Sequence, residues 1–132
     1  MTPKNTKDIV QGWLEKGDHD LKSAEVLLKS GEGLIDTACY HCHQAVEKYL
    51  KGFLVYKKRD FPKSHDLDYL FKLCVKEEMA FHTIQPQLQV LLEFGSDLRY
   101  PAEEVSYSSE DAQRVFISTQ AILKFIRELI KE

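Results

Sequence analysis

Apolar residues recur along this chain at helical rather than strand spacing. From about Thr6 to Leu28, the positions Ile9, Val10, Trp13, Leu14, Leu21, Ala24, Leu27 and Leu28 predict a first amphipathic helix, ended by Gly31-Glu32-Gly33. A second helix is predicted from about Ile35 to Tyr56, where Ile35, Cys39, Cys42, Val46, Tyr49, Leu50 and Phe53 fall on one stripe and Phe61-Pro62 closes the segment. Ser64 offers an N-cap for a short third helix carrying Leu67, Leu70, Phe71 and Cys74, with Asp66 in its first turn. Pro86 suits the first turn of a fourth helix with Leu88, Val90, Leu91, Leu92 and Phe94, which frays at Gly95 and stops before Pro101. Ser108 or Ser109 caps a last helix whose buried face is Ala112, Val115, Phe116, Thr119, Ile122, Leu123, Ile126 and Ile130. Short connections between long amphipathic helices predict an all-α, antiparallel up-and-down bundle of about five helices.

The length of 132 residues, with 43% hydrophobic and 30% charged positions, suits one globular domain spanning residues 1–132. No apolar run approaches membrane-spanning length and the opening residues lack a signal peptide's apolar stretch, so the expected location is cytoplasmic, with no membrane partner. Three cysteines in that setting are expected to be reduced thiols.

Cys39-Tyr40-His41-Cys42-His43 has the C-x-x-C-H spacing of covalent haem attachment. Both cysteines, however, share the apolar stripe of the second helix with Val46 and Phe53, and buried cysteine is a common core residue. A thioredoxin-like pair would need a βαβ setting. A zinc site would need His65, Cys74 or His82 to join Cys39, Cys42 and His43, and two cysteines one turn apart in mid-helix are not a zinc knuckle. Core packing is the reading preferred, with neither metal nor cofactor expected.

The other face of the second helix carries Thr37, His41, Gln44, Lys48 and Lys51 along one ridge, with Tyr40, His43 and Glu47 on a second ridge beside it. Solvated helices usually show a Glu/Lys mixture, so a ridge of this composition reads as a ligand-contacting face or as a helix–helix or dimer contact. Net charge is -3, yet Lys48, Lys51, Lys57, Lys58, Arg59 and Lys63 stand against Asp60 alone within residues 48–63. Such a basic stretch on an acidic body suits a phosphate-bearing ligand or an acidic partner, or simply lysines near a helix C-terminus. Arg99-Tyr100 adds a planar guanidinium fork beside a ring able to stack on a base, unless Asp97 or Glu103 pairs with the arginine.

Taken together, these segments resemble the HEPN family (higher eukaryotes and prokaryotes nucleotide-binding domain) over nearly the whole chain. Trp13, then Asp20-Leu21-Lys22-Ser23-Ala24 and Leu27-Leu28, look like its opening helix. Tyr40 to Lys51 looks like its aromatic-His-x-x-Gln-Ala-x-Glu-Lys-x-Leu-Lys signature. Ser64-His65-Asp66-Leu67 looks like the Thr/Ser-His-Asp-Leu that opens its third helix, and Leu98-Arg99-Tyr100-Pro101 like the Arg-Tyr-Pro before its last. The resemblance implies an antiparallel helical bundle, commonly homodimeric, in prokaryotes often accompanying a small nucleotidyltransferase protein as toxin and antitoxin. Many family members are metal-independent ribonucleases with an Arg-x4-6-His motif.

This chain departs from that motif, because Arg99 is followed by Tyr100, Pro101, Ala102, Glu103, Glu104, Val105, Ser106 and Tyr107 with no histidine. Metal-free RNA cleavage needs a base for the 2′-hydroxyl and an acid for the leaving oxygen, roles suited to histidine near neutral pH. The expectation is a non-catalytic module that binds a nucleotide or a nucleotidyltransferase partner through His41, Gln44, Lys48, Lys51, His65, Arg99 and Tyr100. The alternatives are a ribonuclease toxin using Arg99 with His65 or His41 (Tyr107 being a further substitute), and a structural homodimer subunit whose polar ridge is the dimer seam.

Overall fold

The computed structural model of the chain describes residues 5–94 and 108–131, which form five α-helices and one 3-10 helix with no strand among them. Helix α1 spans Thr6–Lys29, α2 Ile35–Tyr56, α3 Leu67–Glu77, α4 Gln85–Glu93 and α5 Ser109–Leu129. The ends follow from local chemistry. Asn5 accepts from the Asp8 amide at 2.8 Å to start α1. Gly31 and Gly33, both at φ 72°, turn the chain from α1 into α2. Ser108 and Asp111 exchange side-chain and backbone hydrogen bonds at 3.0 and 3.1 Å, a capping box that starts α5.

One end differs from expectation. Asp66, rather than Ser64, is the N-cap of α3, accepting from the Tyr69 amide at 3.2 Å, while Ser64 accepts from the Asp66 amide at 3.1 Å. Helix α2 is closed by a Schellman arrangement, in which the Arg59 amide donates to Leu54 O at 2.8 Å and the Lys58 amide to Val55 O at 2.9 Å. The left-handed residue is Lys58, at φ 58°, where glycine is usual.

Helices α1 and α2 make the most extensive pair. Their contacts step in opposite directions: Gly52 meets Val10, Trp13 and Leu14, Gly17 meets Ala45 and Tyr49, and Asp20 meets His41. The two glycines allow the axes to approach closely, since a Cβ on Gly17 would stand 2.6 Å from Tyr49 Cδ1. Helix α5 lies on another side of α2 and also touches α1, where Arg127 meets Asp18.

Helix α2 is therefore central. Its residues Tyr49 to Leu54 are all buried, which an amphipathic helix with one apolar stripe would not show. Ile9, placed on the buried face of α1 by periodicity, is 41% exposed. The 3-10 helix Met79–Ile84, unforeseen in the sequence, exists to deliver Phe81. That ring is fully buried and packs edge-on against Phe53 of α2, Phe71 of α3 and Phe125 of α5, at centroid distances of 4.8, 5.9 and 5.2 Å.

Candidate functional site

The polar ridge of α2 faces α1. His41 Nδ1 lies 2.9 Å from Asp20 Oδ1, and Lys48 Nζ lies 3.5 Å from Asp20 Oδ2 while donating to Gln44 Oε1 at 3.1 Å. One α1 carboxylate thus gathers His41 and Lys48, with Gln44 attached. All three residues are half-buried. Thr37 remains exposed at the end of the ridge.

Lys51 leaves the ridge altogether. It is buried, donates to Glu47 Oε2 at 3.0 Å, and rests 5.7 Å from the centroid of the Trp13 ring. Glu47 is buried as well, and its two oxygens lie 3.1 and 3.0 Å from Nδ1 of His65, on the approach to α3. The His65 side chain is 82% exposed. A buried carboxylate balanced by a buried ammonium therefore orients one solvent-facing imidazole. Sequence spacing put Lys51 and Glu47 on adjacent ridges of one helix; it did not bring His65 to them.

A third polar assembly was missed entirely. Tyr49 donates its hydroxyl to Asp18 Oδ1 at 2.5 Å and accepts from Arg127 Nη2 at 2.6 Å and Nε at 3.2 Å. Arg127 Nη2 also donates to Asp18 Oδ2 at 2.8 Å. Burial, and then the Asp18 carboxylate, push the Tyr49 phenol up to about 12. Asp18 and Arg127 lie on the first and last helices, so no local pattern announces the trio.

The cysteines are core residues, as the packing reading expected. Cys39, Cys42 and Cys74 are free and buried. Burial raises all three thiols, Cys39 to about 11 and Cys42 to about 12. Among the described residues, no three His, Cys, Asp or Glu side chains are placed to hold a metal ion, and no helix is long and apolar enough to cross a membrane. His43 is turned toward the end of α4, where burial lowers its pKa despite hydrogen bonding to the backbone at Phe94 and Leu91. Its Nε2 is buried without a hydrogen-bond partner among the described residues.

The basic stretch is partly neutralised from within. Lys48 is held by Asp20, Lys51 by Glu47, and Arg59 by Glu77 at 2.7 Å. Lys57, Lys58 and Lys63 are exposed. The candidates Arg99 and Tyr100, with Pro101 and Tyr107 and the expected fraying at Gly95, lie outside the described residues. Of the sequence-predicted site, the fold brings His41, Gln44 and Lys48 together around Asp20, and separately Lys51 and His65 around Glu47.

Comparison with known proteins agrees with this architecture. The family model described as the HEPN domain matches residues 10–129. The fold is similar to the crystal structure of an archaeal HEPN homologue, with a TM-score of 0.70 and 21% identity over 92% of this chain and 98% of that one. No curated protein matches the chain.

Proposed function

Because the chain belongs to the HEPN domain family, we propose that it acts there as a non-catalytic module, binding a nucleotide or a small nucleotidyltransferase partner in a toxin–antitoxin-like pair. The observation that carries this reading is the disposition of its histidines. All five, His19, His41, His43, His65 and His82, precede Arg99 in the chain, so none can complete an Arg-x4-6-His motif that starts at Arg99; His65 stands at that spacing from Arg59 instead, whose guanidinium is paired with Glu77. His41 is tied to Asp20, His43 is half-buried with its pKa lowered by desolvation, and His65 is tied to Glu47. The two paired imidazoles answer to different carboxylates, which supports two orienting contacts rather than one acid–base couple. A homodimer is part of this proposal, with its seam elsewhere than the α2 ridge, whose charged groups are paired within the chain.

A second reading has one observation in its favour. His65 is oriented through Nδ1 by a buried carboxylate and leaves Nε2 toward solvent, the arrangement that readies an imidazole for proton transfer. Metal-free RNA cleavage in EDTA, comparing wild type with Arg99→Ala and His65→Ala, separates the two. The binding reading expects no cleavage by any of the three, together with co-elution of a co-expressed small nucleotidyltransferase or a thermal shift with nucleotide. Saturation at a hundredfold excess over Kd would stabilise by about 2.7 kcal/mol. Cleavage lost in either variant would establish the ribonuclease instead.

A further inference from the structure

A cleft of about 310 Å³ opens at the end of the bundle where the start of α1 meets the last turns of α2 and α5. We propose that it is a binding site for a small amphipathic anion, an aromatic or aliphatic body bearing one carboxylate or sulfonate. This inference is independent of the α2 ridge and of the nucleotide-binding reading.

The floor is apolar. Val10 and Leu14, both buried, and Ile130 face the cleft, and its volume falls at the lower end of the range typical of small-ligand sites. The rim carries the Arg127 guanidinium with Tyr56 beside it, and among the described residues no acidic side chain lines the cleft. Guanidinium N–H donors left over on Arg127 therefore select an anion, while the floor selects an apolar body.

Arg127 is built for this role. Its Nε and Nη2 are engaged by Tyr49 and Asp18, and its guanidinium carbon sits 5.6 Å from the Tyr49 ring centroid. Nη1 makes no hydrogen bond among the described residues, so two N–H donors remain on a side chain already held in place. A ligand anion meeting them would not have to immobilise a free arginine, a cost that usually weakens such contacts. Asp18 and Tyr49 are accordingly positioning residues, behind the arginine.

The test uses two dyes of the same apolar shape, 8-anilinonaphthalene-1-sulfonate and uncharged N-phenyl-1-naphthylamine, titrated into the intact protein by fluorescence. The sulfonate is expected to bind at one site per chain, at least tenfold more tightly than the uncharged dye. Arg127→Gln should remove that preference, and Gln11→Trp, at an exposed lining position, should weaken both dyes at least tenfold. Amide chemical-shift changes in the wild-type protein should centre on Val10, Gln11 and Ile130, a readout that does not depend on either variant folding. Equal affinity for the two dyes would overturn the anion assignment. Shifts centred elsewhere, or unchanged binding by a folded Gln11→Trp, would overturn the site.

Discussion

Replacing Lys51 by methionine isolates a desolvated ion pair in the middle of α2. The Glu47–Lys51 pair has a separation of 3.0 Å and side-chain exposures of 4% and 8%, so both ions are desolvated. With an effective dielectric near 20, such a pair attracts by roughly 5–6 kcal/mol. Methionine retains much of the aliphatic stem against Trp13 but removes the charge, leaving Glu47 buried beside an imidazole whose exposed pairing contributes under about 1 kcal/mol. Breaking a buried pair from one side costs about 3–5 kcal/mol. For a domain of this size that corresponds to a fall in Tm of roughly 10–20 °C. Glu47→Leu should cost less, because the lysine stem is long enough to carry its ammonium toward solvent. The double variant should return close to wild type or exceed it, since an apolar replacement of a buried pair is often neutral or stabilising. Urea unfolding followed by circular dichroism, at fixed protein concentration, gives the four free energies of the cycle. Additive losses, with a coupling near zero, would refute the claim that the two ions compensate each other.

Two further predictions follow from the packing. Gly17→Ala would place a Cβ 2.6 Å from Tyr49 Cδ1 and 3.1 Å from Ala45 O, against a ring pinned by Asp18 and Arg127, so it should destabilise by about 1–3 kcal/mol; a gain of about 1 kcal/mol, as helix propensity alone would give, would contradict the close approach. The three buried thiols should resist Ellman's reagent at pH 8 in the native protein and react in guanidinium, because their raised pKa values keep them protonated. The associated stability is present below the unfolded thiol value and is lost as pH climbs through about 11–12 for Cys39 and Cys42. Rapid stoichiometric labelling of the folded chain would contradict their burial.

The all-helical class and most helix boundaries were written in the chain's periodicity, because apolar spacing and capping chemistry act within a few residues of each other. The bounds of α2, the cap of α5 and the core role of Cys39 and Cys42 are of this kind. Local patterns also placed His41, Gln44, Lys48 and Lys51 on one side of a helix, but not what that side meets. Only the packing of α1 against α2 decided that His41 and Lys48 share Asp20 while Lys51 turns inward to Glu47. The Tyr49–Asp18–Arg127 trio, the seating of His65 on Glu47 and the aromatic cluster around Phe81 likewise came from tertiary structure. Periodicity reports that a position faces something other than water, whereas the identity of the partner depends on helix order and crossing, which involve residues far apart in the chain.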